Sequence, residues 1–347
     1  MSYSKTLKIT ALAITGFIAA TNGSTAQNNY IEIMGTKWAK GNLQYDLTAS
    51  QSGTFFQANW KIADEQWEYF EHSTGEEAKS ITATDSQRDH FNWGVVNGKA
   101  LSTTNYATAL QNSGNFDTFD LSGKLYTNAS CTSEYTGSDK FTNASVQYGD
   151  LAYWASRGQY RMPSKSEIVN LTTYASYQYG WVQVGTDDRV YGFLFKQPNG
   201  TRVCNTTAVE ITESMLEEGL FLPLAGRGTV NVDYMGERGF YVFSGAFKNG
   251  SSNIIFSNEV TDLKLYKASA PQFSSWTPDY GFSIRPVANF TSGDVNDDGT
   301  VDVEDVVLTI NYVVSSVSYI NLNAADINES GNIDVEDIIA IINLIVK

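Results

Sequence analysis

Histidine and cysteine are scarce in this sequence. Its 347 residues include only His72, His90, Cys131 and Cys204 of these two types. A histidine-rich zinc site and a Ser-His-Asp triad both need histidine at suitable positions, so this composition disfavours both. The two cysteines do not form a CxxC pair, and either a disulfide between them or two free thiols is compatible with the sequence.

Long apolar runs and basic patches are also missing. Lys5 and Lys8 precede a short apolar run over 9–20, and the small residues 24–26 follow it. This arrangement predicts a secretory signal peptide over residues 1–26, with an N-terminal membrane anchor as the alternative. No other run approaches the ~20 apolar residues that a spanning helix needs. We therefore expect a secreted or cell-surface protein with no membrane span when mature and no affinity for nucleic acid.

Negative charge is concentrated at the C-terminus. The formal net charge is −15, and residues 294–347 contribute −10 of it through eleven acidic residues and a single lysine. Blocks of like charge are typical of solvated tails or of cation sites. The sequence therefore predicts two domains, a main domain over residues 27–291 and a tail domain over residues 292–347.

The acidic tail contains a duplicated twelve-residue loop. DVNDDGTVDVED over 294–305 is repeated as DINESGNIDVED over 326–337, in the same register 32 residues later. Oxygen-bearing residues at loop positions 1, 3, 5, 7, 9 and 12, with glycine at position 6, follow the spacing that wraps a chain around Ca²⁺. The predicted ligands are Asp294, Asn296, Asp298, Thr300, Asp302 and Asp305 in loop 1, and Asp326, Asn328, Ser330, Asn332, Asp334 and Asp337 in loop 2.

Two bound Ca²⁺ ions would relieve the repulsion among these carboxylates. We therefore expect the tail to fold in a calcium-dependent way, because the ions bind only its native state. Loop 2 has Ser330 where loop 1 has Asp298, and we expect weaker calcium binding there. The segments after both loops are apolar around most of the helical circumference, which predicts two largely buried helices.

The tail resembles a type I dockerin module. Each repeat is a loop followed by one helix, and position 12 is aspartate in both. The resemblance implies a small all-α domain that docks on a cohesin-like or surface partner. By the same resemblance the partner-binding residues are Val303, Glu304, Asn311, Tyr312, Val335, Glu336, Asn343 and Leu344. A calcium-stapled cap that docks on its own chain is the alternative.

The main domain is predicted to combine many short strands with few helices. Ser164 and Glu167 form a capping-box pattern ahead of a helix with Ile168 and Leu171 on its apolar face. Further helices are predicted near residues 63–71 and 149–156. Eight strands are predicted, and the QPNG sequence at 197–200 predicts a hairpin turn between two of them. Arg161 and Arg285 are expected to pair with Asp150 or Glu167.

The order of short motifs in the main domain resembles the Fibrobacter succinogenes major paralogous domain. The motifs are WAKGNL, DHFNWG, GDLAYWASRGQYRMPSKSEIVNL, VYGFLF, GLFLPLAGRG, GFYVFSGAF and GFSIRPV. The resemblance implies an α+β fold related to C-type lectins and to formylglycine-generating enzymes. The last group uses a pair of nearby cysteines, which Cys131 and Cys204 do not match, so no activity is carried over.

We therefore predict an exported binding or surface-display protein, with a possible glycan ligand on residues 27–291. Tryptophans that could stack on sugars are Trp60, Trp67, Trp93, Trp154, Trp181 and Trp276. No catalytic residue and no cofactor other than calcium is predicted, and catalysis stays open. The alternatives are a polysaccharide-degrading enzyme of the glycoside hydrolase type tethered by the dockerin, and an adhesive surface protein that recognises protein.

Overall fold

The structure is a computed structural model, and its described part excludes the predicted signal peptide. It describes residues 30–48, 56–70, 87–102, 104–108, 119–186, 188–228, 232–247, 250–260, 266–268, 270–276, 280–296, 300–314, 320–328 and 330–346. The chain is rich in sheet and poor in helix, which confirms the α+β class. None of the helices in this part of the chain is long and apolar enough to cross a membrane.

Short strands form most of the main domain. In chain order they are β1 Tyr30–Ile33, β2 Thr36–Ala39, β3 Leu43–Asp46, β4 Trp60–Ile62, β5 Gln87–Arg88, β6 Phe91–Asn92, β7 Leu125–Tyr126, β8 Tyr148–Gly149, β9 Tyr160–Arg161, β10 Ser176–Val184, β11 Asp188–Lys196, β12 Cys204–Glu210, β13 Leu220–Pro223, β14 Arg227–Gly228, β15 Val232–Asp233, β16 Arg238–Phe247, β17 Gly250–Val260, β18 Tyr266–Ala268, β19 Gln272–Trp276, β20 Gly281–Phe282 and β21 Val287–Ala288.

The strands associate into several small sheets rather than one large one. Four of the sheets have the orders β1-β2-β21-β9, β12-β10-β11-β13, β15-β14-β20-β6 and β16-β17-β18, with β19 also paired to β17. Strands from the two ends of the main domain meet in the first sheet, because Trp38 of β2 pairs with Val287 of β21. The same sheet places β9 beside β21, where the main domain meets the tail.

The helices in the described part of the main domain are short. They are α1 Leu151–Ala155, α2 Lys165–Tyr174 and α3 Glu213–Glu217, together with a 3-10 helix over Asn97–Leu101. The capping box at the start of α2 is confirmed, with Ser164 and Glu167 bonded reciprocally, and Ile168 and Leu171 are buried as predicted. The helix predicted over 63–71 is wrong: Gln66 instead bonds the main chain at Leu216 and Phe221 and holds the segment as a loop.

The predicted hairpin at residues 197–200 is also wrong. The chain turns there, with Gly200 at a φ of +81°, but β11 and β12 do not pair with each other. Both pair with β10, β11 in the antiparallel and β12 in the parallel direction. The Asn-Gly turn therefore carries the chain across β10 instead of joining neighbouring strands.

Two arginines are held in different ways. Arg161 makes a bidentate pair with Glu167, both contacts at 2.7 Å, which confirms one predicted partner. Arg285 is 1% exposed and donates only to neutral oxygens, among them Asn42 Oδ1 at 2.8 Å and the Lys40 carbonyl at 2.7 Å. The expected carboxylate partner of Arg285 is therefore absent from the described residues, and burial lowers its pKa to about 10.

The tail has its own small core. Its helices are α4 Val303–Val314, α5 Leu322–Ala325 and α6 Val335–Ile345. Val295, Val306, Ile320 and Ile341 are buried together in this core. The prediction that both long helices are largely buried is wrong, because a module of this size has no second layer to cover their outer faces.

Candidate calcium centre and docking surface

The position-12 aspartates organise both loops. Asp305 is fully buried; its Oδ1 accepts the main-chain N–H of Val295 at 2.8 Å and of Asn296 at 3.3 Å. Its Oδ2 accepts the N–H of Asp302 at 2.8 Å. The Asp305 carboxylate thereby joins the start of the loop to its second half.

Loop 2 repeats this arrangement. Asp337 is also fully buried; its Oδ1 accepts from Ile327 at 2.8 Å and Asn328 at 3.2 Å, and its Oδ2 accepts from Asp334 at 3.0 Å. The donors occupy loop positions 2, 3 and 9, as they do in loop 1. The two loops, which are 32 residues apart in the sequence, therefore have the same hydrogen-bond geometry around position 12.

The first half of loop 2 turns around Asp326. Its two carboxylate oxygens accept the N–H groups of Ser330 at 2.9 Å and Gly331 at 2.8 Å. Gly331 has a φ of +81°, a conformation in which a side chain is strained. The Ser330 hydroxyl donates to the Asn332 carbonyl at 3.0 Å. In loop 1, Asp294 is buried, whereas the predicted ligand Asp298 lies outside the described residues.

The donor chemistry of the loops fits Ca²⁺, which takes hard oxygen ligands from carboxylates, amides, main-chain carbonyls and water. The position-9 side chains turn toward the following helices: Asp302 accepts from Glu304 N at 2.7 Å and Asp334 from Glu336 N at 2.8 Å. This agrees with a position that commonly reaches the ion through water. In the described part of the chain, no group of three or more His, Cys, Asp or Glu side chains lies close enough together to hold a metal ion by itself.

The outer faces of α4 and α6 carry matching apolar stripes. The stripe residues recur at helical spacings of four, three and four, and each pair is separated by the repeat period. They are Val303, Val307, Ile310 and Val314 on α4, with Val335, Ile339 and Ile342 on α6 and Val346 directly after its last residue. All eight are exposed, from 39% for Ile310 to 73% for Val346. We call these two sets the twin apolar stripes.

The sequence-predicted partner residues fall partly on these stripes. Val303 and Val335 open them with 66% and 60% exposure. Glu304, Glu336, Asn343 and Leu344 are exposed beside them, Asn311 is half-buried, and Tyr312 packs against the tail core. Sequence reasoning missed the other six stripe residues, although their shared i, i+4, i+7, i+11 spacing in both repeats could have identified them.

The tail is thus a duplicated loop-and-helix module of the half-EF-hand class. The comparison with protein families agrees: residues 292–346 match the family model for the dockerin type I domain. Such modules bind calcium and assemble with a cohesin partner into a cellulosome-like complex, and proteins that contain them are typically extracellular or at the cell surface. No curated protein and no solved structure matches the chain.

Three of the six candidate tryptophans of the main domain are buried, and two are half-buried. Trp60, Trp93 and Trp154 are buried in the largest core cluster. Trp67 packs against another cluster, and Trp181 is half-buried with the Arg189 guanidinium 4.8 Å from its ring centroid. The side chain of Trp276 lies outside the described residues. Stacking on the buried rings would require the core to open.

The cysteines are separate thiols. Cys131 is buried and Cys204 is exposed, and neither forms a disulfide. Burial raises the pKa of the Cys131 thiol to about 12. A thiol that stays protonated is a poor nucleophile, so Cys131 is unsuited to covalent chemistry at neutral pH.

An open cleft of about 430 Å³ lies beside the start of α2. It is lined by Phe119, Asp120, Ser164, Lys165, Ser166, Val169, Asn170 and Gly245. Asp120 is oriented by hydrogen bonds from the Ser122 N–H at 2.9 Å and from the Ser244 hydroxyl. The cleft therefore combines an aromatic ring with a carboxylate, an amide, hydroxyls and an ammonium group.

Proposed function

We propose that this chain is an exported binding or surface-display protein whose tail binds two Ca²⁺ ions and docks on a cohesin partner. The twelve loop residues named from the sequence would supply the calcium ligands, Asp298 included. The bound ions would neutralise part of the tail charge and hold each loop against its helix. The main domain would be the part that the partner displays.

The twin apolar stripes are the observation that carries the docking proposal. Full burial of one Val or Ile side chain is worth about 1.5–3 kcal/mol, and eight such side chains are exposed on two equivalent helices. Contiguous exposed apolar surface of this kind marks an interaction site. Glu304 and Glu336 are exposed beside the stripes. The cohesin face that fits is therefore apolar at its centre and basic at its rim.

The docking proposal is tested by affinity capture with the full chain from the exported proteins of the producing organism. We expect a captured protein with a cohesin domain, identified by mass spectrometry, in Ca²⁺ and its loss in excess chelator. Capture that is unchanged by the chelator, or that yields no cohesin, would argue against the proposal.

The cleft beside α2 supports a carbohydrate ligand for the main domain. Planar carboxylate and amide groups hydrogen-bond sugar hydroxyls, and an aromatic ring packs on the apolar face of a sugar. Asp120 and Asn170 would supply the first two groups and Phe119 the third. The opposite charges of Asp120 and Lys165 favour a neutral polyhydroxylated ligand over an anion.

A glycan array tests the cleft, with Asn170→Ala as the variant and Thr173→Ala as the control. Thr173 is exposed on the same helix and does not line the cleft. We expect saturable binding that Asn170→Ala weakens about tenfold and Thr173→Ala leaves unchanged. Sugar release in a parallel hydrolysis screen would favour the tethered glycoside hydrolase instead. An absence of both binding and turnover would favour an adhesive protein that recognises protein.

A further inference from the structure

The main domain joins the tail without a flexible linker. Strand β21 ends at Ala288, and the first loop begins at Asp294. Asn289, between them, donates its main-chain N–H to the Gln159 carbonyl at 3.0 Å and its side-chain amide to the Gly158 carbonyl at 2.8 Å. The first residue of the connection is therefore tied to the main domain.

The short helix α5 completes this junction from the tail side. Asn321, its N-cap, donates to the Asn289 carbonyl at 3.0 Å. Asn323, which is 7% exposed, donates its side-chain amide to the Gln159 carbonyl at 3.3 Å. Buried amides that lose such partners are costly, so the contacts favour one relative placement of tail and main domain.

One aromatic side chain spans the junction. Phe290 packs against the tail core, and its ring centroid lies 6.5 Å from that of Tyr30 on β1. The Lys37 ammonium lies 4.6 Å from the Tyr30 centroid and 5.0 Å from the Phe290 centroid. Apolar packing and a shared cation thus join the first described strand of the main domain to the tail core.

Helix α5 also touches both calcium loops. The Gly293 N–H donates to the Ala324 carbonyl at 2.9 Å, and the Asn321 N–H donates to the Val295 carbonyl of loop 1 at 2.7 Å. At the other end of α5, the C-cap residue is Asp326, which is position 1 of loop 2. Asn323, which contacts the main domain, is therefore three residues before the predicted loop 2 ligand Asp326. Asn321, which also contacts the main domain, bonds Val295, the residue between the predicted loop 1 ligands Asp294 and Asn296.

We propose that α5 couples the two domains, so that calcium binding in the tail locks the tail onto the main domain in a fixed orientation. The proposal rests on the calcium binding of the proposed function and goes beyond it. Coupling between sites is reciprocal: calcium stabilises the main domain through the junction, and an intact junction strengthens calcium binding. A cohesin partner would then hold the main domain in one orientation rather than on a loose tether.

The test uses the full chain, with Asn323→Ala as the junction variant and Asn199→Ala, an exposed turn residue, as the control. Near-UV circular dichroism follows unfolding of the aromatic-rich main domain, and isothermal titration calorimetry gives the calcium affinity. We expect chelation to lower the main-domain Tm of the wild type by at least about 3 °C. Asn323→Ala should shrink that shift and weaken calcium binding several-fold, whereas Asn199→Ala should change neither.

The outcomes separate this inference from the proposed function. Calcium binding with the same main-domain Tm in calcium and in chelator would overturn the coupling and leave the calcium module intact. The same holds if Asn323→Ala folds and binds calcium with wild-type affinity. If calorimetry detected no calcium binding to the wild-type chain, both proposals would be overturned.

Discussion

Replacing Asp337 with asparagine should disrupt the second loop and prevent the tail from folding fully when calcium is added. Asp337 is fully buried, and its two oxygens accept three main-chain N–H groups at 2.8–3.2 Å. Asparagine keeps one oxygen, so its amide nitrogen must face at least one of these donors. Losing a charge-assisted hydrogen bond costs about 1.5–3 kcal/mol, and a buried unsatisfied donor costs about 1–3 kcal/mol more.

The resulting cost of about 2.5–6 kcal/mol is comparable to the whole stability, about 3–5 kcal/mol, that a core of this size supplies at most. A Ca²⁺ concentration one hundred times the Kd stabilises a site by only ~2.7 kcal/mol. We therefore expect the tail of Asp337→Asn to lack helicity in chelator, as in the wild type, but to regain it only partly in saturating calcium, where the wild type regains it fully. Far-UV circular dichroism of the full chain during a calcium titration measures this.

The control for charge alone is Glu304→Gln, which removes one exposed carboxylate from the tail. It should leave the helicity and the calcium midpoint near wild type. The equivalent loop 1 variant, Asp305→Asn, should resemble Asp337→Asn, because Asp305 accepts from the same three loop positions. If Asp337→Asn titrates like the wild type, the inward carboxylate does not organise the loop.

Three further predictions concern charge and surface. Burial raises the pKa of Glu167, but the Arg161 guanidinium and the Ser164 N–H outweigh it and lower that pKa from its ordinary 4.5. The ion pair therefore stabilises the fold fully above about pH 4.5, and less as the pH falls through the lowered pKa. Glu167→Gln should lower the free energy of urea unfolding by about 2 kcal/mol at pH 7 and by much less near pH 3. Val307→Asp or Ile339→Asp alone should weaken cohesin binding about twofold, because the two similar repeats permit the tail to bind in either of two orientations. The double variant should abolish binding. If one substitution alone abolished binding, the two repeats would not be equivalent docking surfaces. Arg285→Lys should lower stability by about 3 kcal/mol, since one ammonium cannot bond the acceptors that the guanidinium reaches, and an unchanged urea midpoint would contradict this account.

Local signals in the sequence predicted local structure well. The capping box at Ser164 and Glu167 depends on residues three apart and is present. The duplicated loops gave the positions of Asp305 and Asp337 in advance, because the period fixes each residue relative to its glycine. The burial of these two carboxylates, by contrast, is a finding of the structure that was not predicted from the sequence.

Long-range features were not available from the sequence. The Asn-Gly turn after β11 specifies a reversal, but the choice of β10 as the neighbour of β12 depends on tertiary packing. Residues 63–71 have a helical composition, yet three long-range hydrogen bonds of Gln66 hold the described residues 63–70 as a loop. The apolar circumference of α4 and α6 suggested burial, although the described residues of the tail leave the outer faces of both helices exposed. Arg285 was expected to find a carboxylate and instead uses neutral oxygens.

Calcium-dependent docking of the tail on a cohesin can be measured by surface plasmon resonance, with immobilised type I cohesin domains and the full chain as analyte. We expect saturable binding in Ca²⁺ that disappears in excess chelator and returns when calcium is restored. Binding to no cohesin in calcium, or binding that persists in chelator, would contradict it.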